Sequence, residues 1–256
     1  MMKVTFLGTG TSTGVPTIGC DCAICTSNDP RNKRLRVSIL VEHAGKSILV
    51  DTSSDFRQQA LTYGISYLDA IFITHCHADH VFGLDDIRPL NFRYGAIGVY
   101  ANEIAWQGLR QIYQYIFNPT HFGGGLPRLI PNTLYKGSPF MFGTELEVTP
   151  LEVIHGKLPV IAYRFNDFAY ATDLKSIPDD SFERLKNLDT LVLDCVRLRP
   201  HTTHLCLDEA LEYICKLKPK RAFLTHLNHE IDYRRDSKLL PQNVEFAYDG
   251  LVLNIE

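Results

Sequence analysis

The chain has 256 residues, 45% of them hydrophobic, and a formal net charge of −3. That size and apolar content suit one large α/β domain with a sizeable core, or two small ones. Lys and Arg are scattered without a basic block, which argues against a nucleic-acid-binding face, and the longest apolar runs fall far short of the roughly 20 residues that a membrane span needs.

In chain order, Lys3 to Leu7 alternates like a strand and leads into Gly8-Thr9-Gly10-Thr11-Ser12-Thr13-Gly14. The spacing is wrong for a dinucleotide fingerprint and no Lys-Ser/Thr follows as in a P-loop. The loop reads instead as a tight segment that lets backbone pass close to a neighbouring site. This immediate entry into a strand predicts no signal peptide. The seven cysteines are an odd number, so a disulfide scaffold is disfavoured and a reducing, cytoplasmic setting is expected. Cys20, Cys22 and Cys25 can present three thiolates to one ion within a small loop at 19–26. A structural Zn²⁺ wants four ligands, so the fourth must come from far along the chain; the alternative is three reduced, unmetallated thiols.

Arg36 to Val41 and Ser47 to Val50 read as strands joined by a turn over 42–46 that exposes His43. Phe56 to Tyr63 reads as a helix closed by Gly64. The apolar run Ala70 to Ile73 reads as a buried strand, and the loop leaving it holds His75, His77, Asp79 and His80 within six residues. Imidazole and carboxylate are the usual ligands of Zn²⁺, Mn²⁺ and Fe²⁺. His75 and His77 can grip one ion, and Asp79 and His80 a second.

Gly83 to Phe117 is mostly helical in pattern, with a strand ending near Tyr100. The glycine-rich stretch at 120–127 is either a substrate flap or a surface connector. Thr144 to Val153 alternates and leads to His155. Ile161 to Phe165 and Phe168 to Ala171 form a hairpin-like pair that leads to Asp173. Pro178 to Leu185 reads as a short helix, and Leu191 to Leu193 as a strand ending at Asp194. Leu207, Ala210, Leu211, Ile214 and Leu217 share a helical face. Ala222 to Leu224 is a strand that leads to His226. His75, His155, Asp173 and His226 thus all lie just past predicted strands. If those ends share one sheet edge they converge with His77, Asp79 and His80, and five histidines with two aspartates suit two ions that share a bridging carboxylate. Asp51 and Asp194 also end strands and are expected to hold ligand histidines by hydrogen bonds.

The order His75-x-His77-x-Asp79-His80, His155, Asp173, His226, with the Phe6-Leu7-Gly8-Thr9-Gly10 opening, resembles the metallo-β-lactamase superfamily over nearly the whole chain. The likeness is to PhnP-type cyclic phosphodiesterases, in the tRNase Z-like branch. It implies an αβ/βα sandwich of two mixed sheets flanked by helices, formed by residues 1–256 as one domain. It also implies a cytoplasmic dinuclear phosphodiesterase that opens a small cyclic or nucleotide-like phosphodiester with a hydroxide held between two divalent ions, Zn²⁺, Mn²⁺ or Fe²⁺. We assign His75, His77 and His155 to one ion and Asp79, His80 and His226 to the other, with Asp173 bridging. By the same likeness Asp79 orients the nucleophile, and His204 serves the phosphate or the leaving oxygen, with His201 as its competitor. His229 then completes the structural zinc with Cys20, Cys22 and Cys25, in preference to His121 or His43. The expected partner is a small-molecule substrate, with no membrane and with nucleic acid disfavoured but left open; oligomeric state is open, a homodimer included. A tRNase Z-like endoribonuclease needs a long basic arm that is not visible here. A thioester hydrolase of the same superfamily and a non-enzymatic metal-binding scaffold are the other readings.

Overall fold

The computed structural model describes residues 1–119 and 125–256, so the flap expectation at 120–127 falls mostly outside the described residues. Among the described residues, fourteen strands form two seven-stranded sheets. The first holds β1 (Met2–Gly8), β2 (Ser38–His43), β3 (Lys46–Val50), β4 (Ala70–Phe72), β5 (Ile97–Ala101), β6 (Leu129–Thr133) and β14 (Val252–Ile255), in the order β14-β1-β2-β3-β4-β5-β6. The second holds β7 (Phe140–Phe142), β8 (Leu146–His155), β9 (Leu158–Phe165), β10 (Phe168–Ala171), β11 (Thr190–Asp194), β12 (Arg221–Thr225) and β13 (Val244–Phe246), in the order β13-β12-β11-β10-β9-β8-β7. Both sheets are mixed: β3 to β6 run parallel, as do β10 to β13, while hairpins supply the antiparallel pairs. This is the αβ/βα sandwich that the resemblance implied.

The hydrophobic pattern explains the layers. Strands buried on both faces read as near-continuous apolar runs, and β4, β10 and β11 are buried throughout. Between the sheets, Phe6, Ile39 and Phe72 meet Tyr163, Phe165 and Phe223. Phe72 stacks on Tyr163 with ring centroids 5.2 Å apart, a favourable offset arrangement. On the outer face of the first sheet lie the helices Phe56–Tyr63 and Glu103–Ile112, the latter burying Trp106. On the outer face of the second lie Asp179–Arg184 and the amphipathic helix Leu207–Leu217. Gly64 closes its helix at φ 67°, a left-handed cap that glycine adopts without a Cβ penalty.

Two details differ from the sequence reading. The strands flanking Ala44-Gly45 run closer to the turn than expected, β2 shifted by two residues and β3 starting one residue earlier, because both turn residues adopt positive φ (48° and 74°) and make a two-residue hairpin turn. His43 therefore ends β2, paired with Lys46, and is partly buried. The metal-ligand candidates also do not share one sheet edge. His75 follows β4 in the first sheet, whereas His155, Asp173 and His226 lie at or just beyond the ends of β8, β10 and β12 in the second. They meet because corresponding ends of the two sheets are tied together. Tyr163 Oη donates to the Ile73 carbonyl at 2.7 Å, and the Ile161 amide donates to the Thr74 carbonyl at 3.0 Å.

Candidate metal centre

The loop after β4 leads into a single helical turn, Ala78–Val81, so that His75 and His77 precede the turn while Asp79 and His80 ride on it. Asp173 and His226 each follow a strand with positive φ, 55° and 64°, and Asp51 at the end of β3 has φ 62°. Non-glycine residues held in this left-handed region are uncommon, and such strain gathers at functional sites. Here it turns three side chains toward one point.

Asp173 lies at the centre. Its Oδ2 is 3.2 Å from His80 Nε2; its Oδ1 is 3.4 Å from His226 Nε2 and 3.9 Å from His75 Nε2. Thr172 Oγ1 donates to Oδ2 at 2.7 Å. Asp79 Oδ2 is 3.4 Å from His80 Nε2 and 3.8 Å from His226 Nε2. Donor atoms of Asp79, His80, Asp173 and His226 all lie within 4.8 Å of one another, and all four residues are buried. His75, His77 and His155 form the adjoining group, with ring centroids 4.5 Å (His75 to His77) and 5.4 Å (His77 to His155) apart. The seven sequence-derived candidates therefore come together.

The Nε2 atoms of His75, His80 and His226 are buried and have no hydrogen-bond partner among the described residues. An unpartnered buried donor or acceptor costs about 1–3 kcal/mol, so three aimed at the same carboxylates call for a common partner. Ligands at about 2.0–2.2 Å around one ion lie roughly 3–3.5 Å from one another, close to the separations seen. The electrostatics agree. Burial holds the His75 imidazole well below its usual range, neutral as a ligand must be. Burial acts the same way on His80, but Asp173, Asp51 and Asp79 outweigh it and push that imidazole up. Three buried carboxylates around one imidazole favour positive charge, which a divalent cation supplies.

The outer nitrogens are held too. His80 Nδ1 is 2.7 Å from Asp51 Oδ2, and Asp51 also accepts from the Thr74 amide and hydroxyl, each at 2.8 Å. His155 Nδ1 donates to the Thr203 carbonyl at 2.9 Å. His226 Nδ1 lies 3.4 Å from Asp194 Oδ1 without hydrogen-bond geometry, whereas His204 Nδ1 is hydrogen-bonded to that oxygen at 3.2 Å. Such contacts fix tautomer and ring orientation, and losing one lowers metal affinity about 10–100-fold. Asp51→Ala should therefore weaken metal binding by about that factor in a Mn²⁺ titration; wild-type affinity would show that Asp51 does not orient His80.

His204 is buried, stacks on His226 with centroids 4.6 Å apart and lies 4.4 Å from the His155 ring. His201 is more exposed and accepts from the Thr203 amide. Of the two competitors, it is His204 that offers a donor atom within 4.8 Å of Asp173. The glycine-rich opening takes the place expected of it: the Thr11 amide donates to the Leu227 carbonyl and the Leu227 amide to the Thr9 carbonyl, beside His226. A Cβ on Gly10 would come within 2.9 Å of Arg34 Cβ, so only glycine passes there without displacement.

A second donor set lies at the N-terminal loop. His229 Nδ1 is 3.3, 3.6 and 3.5 Å from the Sγ atoms of Cys20, Cys22 and Cys25. A tetrahedral ion with Zn–S about 2.3 Å and Zn–N about 2.1 Å implies S···N edges of about 3.6 Å. Backbone N–H groups point at the sulfurs, Cys25 N to Cys22 Sγ at 3.4 Å and Thr17 N to Cys25 Sγ at 3.3 Å. Backbone hydrogen bonding from Cys25 brings the Cys22 thiol down to about 6, favouring the thiolate that binds metal.

Residues 46–227 match the model of the beta-lactamase superfamily domain. A crystal structure of a diphosphatase from the PhnP family superposes with a TM-score of 0.93 at 42% identity, covering 100% of this chain and 98% of that one. An octanoyltransferase from Porphyromonas gingivalis is 38% identical over 253 residues, 98% of this chain and 51% of that protein, so the chain spans about half the length of that relative. A ribonuclease Z from a Synechococcus species is 29% identical over 207 residues, 75% of this chain and 59% of that protein. Family match and full-length structural likeness at 42% identity show that the chain belongs to the PhnP family of the beta-lactamase superfamily, with a donor set that could hold metal ions.

Proposed function

We propose that the chain is a dinuclear metal-dependent phosphodiesterase acting on a small cyclic or nucleotide-like phosphodiester. The observation that carries this is the seven-residue donor set centred on Asp173, with three orphaned imidazole nitrogens turned toward it. In the assignment we favour, His75, His77 and His155 hold one ion, Asp79, His80 and His226 the other, and Asp173 bridges. The ions, Zn²⁺, Mn²⁺ or Fe²⁺ by the chemistry of the donors, supply Lewis acidity and bring the pKa of a water toward about 7. Asp79 is placed to accept a hydrogen bond from the attacking water and so orient it. His204, held through Nδ1 by Asp194, presents its ring above His155 and His226, where it can bind a phosphate oxygen or give a proton to the leaving oxygen. Asp51 keeps His80, and Asp194 keeps His204, in the orientation this requires.

A second reading is hydrolysis of a diphosphate, favoured by the 42% identity to a PhnP-family diphosphatase. The two share the site and differ in the leaving group, an alkoxide in one and a phosphate in the other. Octanoyl transfer belongs to a relative of which this chain matches half; we treat acyl thioesters as a third substrate class for the assay, alongside β-lactams. The test is a hydrolysis screen of Mn²⁺- and Zn²⁺-loaded protein against cyclic phosphodiesters, dinucleoside diphosphates, phosphomonoesters, thioesters, a β-lactam and precursor tRNA. Turnover of the first class above the rest supports the proposal. Preference for the diphosphates selects the second reading, and preference for thioesters overturns both.

At the cysteine cluster we propose a structural zinc that ties the N-terminal loop to the segment after β12. A four-ligand site leaves no open position for substrate. Cys22→Ser should therefore cost one zinc per chain and lower the melting temperature, with a smaller, indirect loss of rate. Elemental analysis finding the full zinc content in that variant would overturn this assignment.

A further inference from the structure

The loop between His75 and His77 consists of a single residue, Cys76, which belongs to none of the donor clusters among the described residues. Its side chain faces the helix Glu103–Ile112. That helix is well anchored: Asn102 caps it by accepting from the Ala105 amide at 2.8 Å, Trp106 Nε1 donates to the Asn132 carbonyl at 3.2 Å, and Ala105, Trp106 and Leu109 are buried against the first sheet.

Gly108 lies in the interior of this helix. Glycine there is less favourable to the helix than alanine, and its backbone does not need glycine, since it lacks the positive φ found at other glycines of the chain. What glycine provides is space. A Cβ on Gly108 would lie 2.8 Å from Cys76 Cβ and closer still to its Sγ, nearer than real side chains approach. The same helix is tied to the far end of the ligand segment, where Tyr113 Oη donates to the Val81 carbonyl at 2.7 Å. The stretch from His75 to His80 is therefore gripped at both ends by one rigid element.

We propose that Cys76 and Gly108 form a knob and notch that positions His75 and His77, and so sets the affinity of the ion those imidazoles hold. The proposal rests on the metal reading above. Cys76 is a positioning residue in it, neither nucleophile nor ligand, and Gly108 is kept against its helix propensity to admit it.

The experiment is Mn²⁺ titration of the full-length protein, because hard Mn²⁺ prefers the His/Asp donors to the thiolates of the cysteine cluster. Gly108→Ala should weaken Mn²⁺ binding about 10–100-fold, the range for groups that orient ligands. The melting temperature of the metal-free protein should fall only slightly, since the gain in helix propensity partly offsets the overpacking against Cys76. Adding Cys76→Gly removes both sulfur and Cβ from the notch, and the double variant should recover to within about threefold of wild type. Should Gly108→Ala not fold, Cys76→Leu enlarges the knob from the other side and should cause the same loss. Wild-type Mn²⁺ affinity in Gly108→Ala or in Cys76→Leu, or a double variant as weak as Gly108→Ala, would overturn the proposal. Wild-type protein that binds no Mn²⁺, and no Zn²⁺ beyond the cysteine cluster, would instead overturn the metal reading beneath it.

Discussion

Asp173→Ala should nearly abolish hydrolysis while leaving the fold intact. Asp173 is the residue on which the Nε2 atoms of His75, His80 and His226 all converge, at 3.9, 3.2 and 3.4 Å. Losing the shared carboxylate should cost more than the roughly 10–100-fold seen for groups that merely orient ligands. The loss should be seen both in turnover and in the second equivalent of bound metal, because a bridging carboxylate serves both ions. The strands that carry the other donors are fixed by the inter-sheet core around Phe72 and Tyr163, so circular dichroism should be unchanged. Undiminished turnover in a metal-analysed Asp173→Ala sample would refute the two-ion mechanism.

The second large effect is expected at His204. His204→Ala should lower turnover about 10²–10⁴-fold, the usual contribution of general acid–base catalysis, without loss of metal. Its ring stacks on His226 and is held by Asp194, so it borders the donor set without belonging to the seven. Leaving groups separate the two roles open to it. If His204 gives a proton to the departing oxygen, a substrate with a very acidic leaving group should lose far less than one with an alkoxide. A uniform loss would leave it with phosphate binding alone. An effect below tenfold on a poor leaving group would make it a bystander.

Much of the site could be read in the sequence because its chemistry is local. His75 to His80 lie within six residues, and His155, Asp173 and His226 follow strands whose apolar runs are plain. The helix Phe56–Tyr63 with its Gly64 cap was readable for the same reason. What escaped depends on pairing between distant segments. The edge strands β6 and β7 are short and partly exposed, and β6 contains Pro131, a residue tolerated at sheet edges that weakens the strand signal. β14 pairs with β1 from the other end of the chain, and no periodicity announces such a partner. The division of the donors between two sheets was hidden likewise, since a strand end carries no mark of its sheet. The closeness of Gly108 to Cys76 spans two elements whose sequence patterns give no hint of it.

That division has a consequence for how the protein holds together. Residues 75–80 belong to one lobe, while His155, Asp173 and His226 belong to the other. Neither lobe alone possesses the donor set, so an ion that occupies it acts as a non-covalent staple across the sandwich. By linkage, a ligand that binds only the assembled form stabilises it by about 2.7 kcal/mol at one hundred times its dissociation constant. Metal supply then bears on stability as well as turnover: a chain starved of metal loses its staple along with its reagent, and the apolar core around Phe72 and Tyr163 still joins the sheets.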